Sequence, residues 1–313
     1  MKSHKSNRLI GLLHHHWQAW EQYPRERIKL ALGAALFPKA TQQWLSYLNA
    51  NLHLRQQAQN FPKLVTRIYR PYALRSLNCH QRVNLMIQHH EMLRLIGLQG
   101  LIHASSEQPL PILTWHTNDG SSITLQLVSL RDGHREGDIS FQLRWNSQVI
   151  FSITLLLYEI QHLRYLMITR LQGSQTNSAQ EFIRNVTKAL HGLRPVDLLF
   201  QAARHTAGIL ECHAVAMVSN HHRVALNPIR RLRIKFDADK FWLEKGATMD
   251  PHGFFVLPPE VEIRSDFSDI PSNKRAQAKR RSEVLRQALD CVSVVLKRLR
   301  SGGNPPVLHC CEK

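Results

Sequence analysis

Residues 170–175 have the composition of a turn that can bind phosphate. They read Arg170-Leu171-Gln172-Gly173-Ser174-Gln175 and lie where a strand pattern gives way to a helix pattern. Backbone amides at the start of a helix, aided by the helix dipole, bind phosphate without particular side chains. A glycine-containing turn of this kind is therefore a candidate phosphate-binding turn. The same residues are also typical of an ordinary strand-to-helix turn.

Three polar residues on the following connections could complete a site. His191 and Arg194 flank Gly192 at a predicted helix end, and Asn220 follows a short buried strand. A histidine there can act as a base or meet an anion, and it can also cap the helix. We predict that His191, Arg194 and Asn220 line a catalytic site. No step is assigned, because no carboxylate partner for His191 is close in sequence.

The sequence gives little support to metal or cysteine chemistry. Histidines are paired or grouped at 14–16, 89–90 and 221–222, but adjacent residues on a helix point about 100° apart and do not converge on one ion. The five cysteines are scattered without a CxxC pair. We therefore expect no metal, and the cysteine pattern indicates a reducing, cytoplasmic compartment.

The charge of the chain is strongly positive, with 41 Lys and Arg against 23 Asp and Glu. Such a surface attracts nucleic acid, anionic lipid, a phosphorylated cofactor or an acidic protein. The cations cluster between Lys274 and Arg281, with Arg230, Arg231, Arg233 and Lys235 upstream, although a solvated helix face would look the same. No apolar stretch reaches the roughly 20 residues that a membrane span requires.

The pattern of apolar residues predicts an α+β fold. Residues 1–110 have helical periodicity interrupted by Pro24, Pro38 and Pro62. A period of two then predicts a four-stranded antiparallel meander, whose turns are marked by Asp119-Gly120, Asp132-Gly133 and Asn146-Ser147. Its predicted strands are Ser122 to Leu130, Asp138 to Trp145, Val149 to Ile160 and Leu163 to Leu171.

After the meander, the pattern predicts the order helix, helix, strand, helix, strand. Ser178 and Glu181 have the spacing of a capping box at the first of these helices. A basic helix closes the chain. The predicted division is a helical module at 1–110, an α+β core at 111–263, the basic helix at 264–300 and a flexible tail at 301–313.

This order of elements resembles that of GNAT-type acetyltransferases, in which the loop before a helix wraps the pyrophosphate of the cofactor. The family loop has the form Arg/Gln-x-x-Gly-x-Gly/Ala, and residues 170–175 match it except at the final small residue. The resemblance implies an acyl-CoA or acyl-carrier donor contacted by Arg170, Gly173 and Ser174.

Other strings resemble the VirK/YbjX family of bacterial proteins. They include Tyr69-Arg70-Pro71-Tyr72, Leu171-Gln172-Gly173 and the run from Thr187 to Pro195, in the same order along the chain. The resemblance implies a cytoplasmic role in virulence and in resistance to envelope stress such as antimicrobial peptides. His221-His222-Arg223-Val224 departs from the family, which tends to place an aromatic residue there.

We therefore interpret the chain as a cytoplasmic stress factor with a GNAT-like core that transfers an acyl group. The alternative is a non-enzymatic adaptor or regulator that binds nucleic acid or an acidic partner through its basic helix.

Overall fold

The computed structural model describes residues 20, 22–102, 108–129, 135–174, 176, 178–224, 236–303 and 309–310. Among the predicted features, the histidines at 14–16, the Asp132-Gly133 turn and the basic residues at 230–235 lie outside these residues. The fold is α+β: a mixed, mostly antiparallel sheet is covered by helices.

The helices begin where the sequence signals predict. Pro24, Pro38 and Pro62 each occupy the first position of a helix, where a missing N–H is harmless and a fixed φ is favourable. Gly97 ends the fifth helix with a φ of 74°. The helices are α1 (Pro24–Leu36), α2 (Pro38–Ala50), α3 (Leu52–Asn60), α4 (Pro62–Thr66), α5 (Cys79–Leu95), α6 (Ala179–Ala189), α7 (Pro195–Ile209), α8 (Ala238–Glu244) and α9 (Ser272–Arg300).

The strands form one sheet in the order β7-β8-β6-β5-β4-β3-β2-β1-β9. Strands β1 to β5 form an antiparallel meander, and β6 then pairs in parallel with β5. The strands are β1 (Leu110–His116), β2 (Ser122–Ser129), β3 (Ile139–Trp145), β4 (Gln148–Ile160), β5 (Leu163–Gly173), β6 (Ala214–Met217), β7 (Thr248–Met249), β8 (Phe255–Leu257) and β9 (His309–Cys310).

The meander has five strands rather than the four predicted. The missed strand, β1, is buried continuously from Ile112 to Trp115 and therefore lacks the alternation that marks a half-buried strand. It also begins beside Pro111, where the register with β2 shifts. The other four strands lie within two residues of their predicted bounds. Two residues of the predicted tail form β9, which pairs in parallel with β1.

The sheet separates two apolar clusters, because successive residues of a strand point to opposite faces. On β4, Leu156 packs with the cluster that contains Trp44 of α2 and Met86 of α5. Its neighbours Leu155 and Leu157 pack with the cluster of α7 and α9 on the other face.

The predicted capping box at the start of α6 is wrong. The Ser178 side chain makes no capping hydrogen bond. The capping box lies instead at α5, where Asn78 accepts from the Gln81 amide at 3.0 Å and Gln81 accepts from the Asn78 amide at 2.9 Å. The Ser178 side chain therefore does not satisfy the backbone amides at the start of α6.

Candidate functional site

The parallel strands β5 and β6 part at their carboxyl ends. Their pairing runs from Tyr165 opposite Ala214 to Ile168 opposite Met217, and the Val218 amide then donates to the Ile168 carbonyl at 3.0 Å. The Val218 carbonyl accepts from Trp242 Nε1 at 3.3 Å instead of continuing the ladder. Strand β5 runs on to Gly173, paired with β4. The two strands are therefore no longer paired beyond Val218, and we call the region at their carboxyl ends the opening between β5 and β6.

Asn220 ties the end of β6 to the start of α8. Its amide donates to Asp239 Oδ1 at 2.7 Å, and its side-chain nitrogen donates to Asp237 Oδ1 at 2.8 Å. Asp237 is also the N-cap of α8, because it accepts from the Lys240 amide. Asn220 therefore positions α8, and with it the Trp242 indole that ends the ladder.

Two arginines are close enough to influence each other at this edge of the sheet. Arg223 is 9% exposed, and its guanidinium makes no hydrogen bond or ion pair with the described residues. Burial lowers the pKa of Arg223, the nearby Asp239 and Asp237 oppose that shift, and Arg170 adds to it. Arg170 lies on β5 just beyond the last residue paired with β6. No Arg223 nitrogen is among the described polar atoms that are fully buried and lack a partner, so its guanidinium reaches solvent and can donate to an anion there.

The turn between β5 and α6 is compact at Gly173 and Ser174. A Cβ on Gly173 would lie 3.0 Å from the Phe151 ring, so a side chain there would press on that ring. The Ser174 amide donates to the Ile150 carbonyl at 2.7 Å, and the Ser174 hydroxyl lies 3.1 Å from the Thr176 hydroxyl. The Ser174 amide is therefore already used, and any phosphate contact from this residue has to come from its hydroxyl.

His191 and Arg194 lie on the connection between α6 and α7. His191 has a left-handed φ of 51°, and its amide donates to the Lys188 carbonyl at 3.1 Å. Its backbone thus has the conformation of a helix C-terminal cap. Arg194 Nε donates to Asp197 at 2.6 Å and its Nη2 to Glu244 at 2.6 Å, which joins α7 to α8.

A groove of about 580 Å³ lies beside this connection. Phe151, which touches the Cβ position of Gly173, is one of its lining residues, so the groove extends from the β5–α6 turn toward α7. Its other lining residues include Ile183, Arg184, Lys188, Arg194, Val196 and Gln277.

The predicted site residues therefore fall into two groups. Arg170 and Asn220 lie around the opening between β5 and β6, near Asp237 and Asp239. Arg194 lies on the groove, with His191 at the adjoining helix end. Sequence reasoning missed Arg223 as a site residue, although its position in His221-His222-Arg223-Val224, where the chain departs from the resembled family, was a signal.

A second polar cluster, which sequence reasoning did not find, is buried between the sheet and the first helices. Arg67 binds both carboxylate oxygens of Asp138, through Nη1 and, at 3.0 Å, through Nη2. The Tyr72 hydroxyl donates to Asp138 at 3.1 Å. Arg67 lies two residues before the Tyr69-Arg70-Pro71-Tyr72 string, which with the paired histidines at 89–90 was the signal in the sequence for this cluster.

Two neutral histidines of α5 complete the cluster. His89 Nδ1 accepts from the Leu157 amide at 3.0 Å, so the proton of the neutral ring lies on Nε2. His90 Nε2 lies 3.7 Å from Asp138, too far for a hydrogen bond. Burial lowers the pKa of His89 to about 4 and that of His90 to about 3. Burial alone would raise the pKa of Asp138, but the charge of Arg67, the two histidines and the hydrogen bond from Arg67 together hold that pKa low.

Across the part of the chain that the structure describes, no three His, Cys, Asp or Glu residues are grouped to hold a metal ion. Within the same residues, no helix is long and apolar enough to cross a membrane.

Comparison with known proteins identifies the family. Residues 19–292 match the family described as "Protein of unknown function (DUF535)". The chain is 29% identical over 269 residues to "Uncharacterized protein YbjX" of Escherichia coli (strain K12). The aligned region covers 83% of this chain and 80% of that protein.

A protein of Haemophilus influenzae, named "Uncharacterized protein", is 34% identical over 129 residues, or 40% of this chain and 42% of its own length. No solved structure matches the chain significantly. The kinship to YbjX that the sequence strings indicated is thereby confirmed, and the chain belongs to the DUF535 family of bacterial proteins.

Proposed function

We propose that the chain binds a phosphorylated acyl donor, of the acyl-CoA or acyl-carrier type, at the opening between β5 and β6, and transfers its acyl group to an acceptor. The observation that supports this most is the end of the β5–β6 ladder at Val218, whose carbonyl is taken by Trp242. Ligands of open sheets with parallel strands bind outside the carboxyl ends of adjacent strands. The thioester arm would enter this opening.

The charges around the opening suit the phosphates of such a donor. Arg223 has no hydrogen bond to offset its burial, and Arg170 is near enough to influence its pKa. Both cations would bind phosphate, while the start of α6 adds its dipole. Gly173 matters because its lack of a side chain leaves room beside Phe151.

The remaining predicted residues receive positioning roles in this proposal. Asn220 and Arg194 hold α8 in place through Asp237, Asp239 and Glu244. His191 lies at the helix end beside the groove, and no proton transfer is assigned to it. At the level of the cell, we propose a cytoplasmic role in virulence and in resistance to envelope stress, including antimicrobial peptides.

A rival proposal is supported by α9. Its first turns carry Lys274, Arg275, Lys279, Arg280 and Arg281, all exposed, with no acidic residue before Glu283. This face would bind nucleic acid, an anionic lipid surface or an acidic protein. Such binding weakens steeply as salt rises, because it depends on neutralising many charges.

Calorimetric titration with acetyl-CoA and with longer acyl-CoA thioesters tests the proposal. We expect Arg223→Met to weaken binding by about tenfold or more, as befits a lost charge-assisted hydrogen bond. We expect the stability of this variant to be equal or higher, because a buried charge without a hydrogen bond is removed. Gly173→Trp should also weaken binding, because the indole would overlap sterically with the donor and with Phe151.

The control is Arg94→Met, which removes an exposed arginine paired with Glu91 on α5. It should leave donor affinity unchanged. The absence of heat and of any thermal shift with every thioester would contradict the proposal. Thioester binding that is equal in Arg223→Met and the wild type, and that raised salt abolishes, would also contradict the proposal. That result would favour binding at the α9 surface.

A further inference from the structure

A small cleft next to the Arg67–Asp138 pair has walls rich in cations. Lys63, Arg67, Arg70 and Arg135 line it, together with Thr66 and Tyr72, and no carboxylate does so within the described residues. Asp138 offsets the charge of Arg67, and an anion in the cleft would lower the repulsion among the cations around it. The cleft shares no lining residue with the opening between β5 and β6. A ligand in the cleft therefore does not depend on the function proposed above.

Two of the nearby carboxylates are already used. Asp138 is bound by Arg67 and Tyr72. Glu26, which also acts on Arg70, accepts hydrogen bonds from Lys29 and Thr66. Arg70 thus has only a shared counter-ion. Arg135 has the half-buried Glu136 beside it, whose carboxylate accepts from the Arg135 amide at 3.1 Å.

Arg67 supplies a rigid, buried wall. It is 4% exposed, its Nη atoms are fixed on Asp138, and its guanidinium lies 5.0 Å from the centre of the Tyr72 ring. Its Nε is buried and has no hydrogen-bond partner among the described residues. A buried donor without a partner is rare in folded proteins and indicates a missing ligand or water.

The size of the cleft limits what enters it. Its volume of about 10 Å³ suits a single oxygen atom. Arg70 is half-buried and Arg135 is exposed, so both can contact further oxygens at the mouth. A tetrahedral oxyanion with one oxygen inside and the others at the rim meets all these conditions.

We propose that this cleft is a binding site for a phosphate group, held by Arg67, Arg70, Arg135 and Lys63. The phosphate comes either from a free phosphorylated small molecule or from a lipid headgroup. Tyr69-Arg70-Pro71-Tyr72 then has a direct chemical role, since Arg70 contacts the ligand and Tyr72 holds the Asp138 that orients Arg67.

Titration with inorganic phosphate, in a buffer free of other oxyanions, tests the site in the full chain. We expect binding to weaken about tenfold in Arg70→Gln and in Arg135→Gln, because each removes one charged contact. The control Arg94→Gln should bind as the wild type does. Arg67 is left intact, because its loss would destabilise the fold, and unchanged thermal midpoints would show that the variants are folded.

A second arm identifies the source of the phosphate. Co-sedimentation with vesicles that contain phosphatidic acid, compared with pure phosphatidylcholine vesicles, shows whether the site accepts a headgroup. If the protein binds the vesicles and Arg70→Gln weakens that binding, the phosphate comes from a lipid headgroup. If the protein binds phosphate and not the vesicles, the ligand is a free phosphorylated molecule. Equal phosphate affinity in wild type, Arg70→Gln and Arg135→Gln, or no binding in either arm, would overturn the proposal.

Discussion

Replacing Arg67 with methionine is expected to lower the free energy of unfolding by about 3–5 kcal/mol, because it leaves the Asp138 carboxylate buried without its cation. Both partners are almost fully buried, with side chains 4% and 5% exposed. Tyr72 alone, donating one hydrogen bond, cannot replace a bidentate guanidinium. Urea denaturation followed by circular dichroism measures the change.

Two further variants separate this effect from a general loss of charge. Arg94→Met breaks an exposed pair with Glu91 and should cost about 1 kcal/mol at most. The double variant Arg67→Met, Asp138→Leu should recover part of the lost stability, since an apolar pair often replaces a buried ion pair without loss. An Arg67→Met protein as stable as the Arg94→Met protein would contradict this description of the cluster.

Acid is expected to destabilise the fold well before its carboxylates titrate. Burial lowers the pKa of His89 to about 4 and that of His90 to about 3, below the unfolded value of about 6.5. The unfolded chain therefore takes up protons first, and stability that is complete above pH 6.5 is lost as the pH falls. Each histidine should remove about 2 kcal/mol between pH 7 and pH 5.

The groups around the histidines do not reverse this sign. Asp138 favours their protonation, but burial and the charge of Arg67 outweigh it, and the rings of Trp44 and Tyr47 against His90 carry no charge. His89→Gln or His90→Gln should each remove about 2 kcal/mol of the stability loss between pH 7 and pH 5, measured by urea denaturation. His162→Gln, at a fully exposed histidine, should leave it unchanged. A wild-type stability that is flat from pH 7 to pH 5 would contradict neutral, buried histidines.

Local signals predicted most of the elements. Pro24, Pro38 and Pro62 begin helices because proline suits the first helical position whatever the tertiary structure is. Buried and partly buried residues alternate at the start of β2, whereas the middle of β4 is buried continuously because both faces of the sheet are covered. The capping pattern was ambiguous: Ser178 with Glu181 has the required spacing and does not form the box, whereas Asn78 with Gln81 does.

The sites depend on contacts that no local pattern encodes. Arg67 and Asp138 are 71 residues apart, and Asp138 is indistinguishable in sequence from any polar residue before a strand. The β5–β6 ladder ends at Val218 because the Val218 carbonyl accepts a hydrogen bond from the Trp242 indole of α8. Arg170 and Gly173 could be proposed from the sequence because the strand-to-helix turn is local, whereas Arg223 could not, because its burial is set by the fold.

Hydrogen exchange of the full chain, measured by mass spectrometry with and without acetyl-CoA, tests most directly whether the donor lies between β5 and β6. We predict that donor binding there slows exchange in residues 169–174 and 218–224, with no change in Ser122–Ser129 of the meander. Slower exchange confined to α9, or none in either strand end, would contradict it.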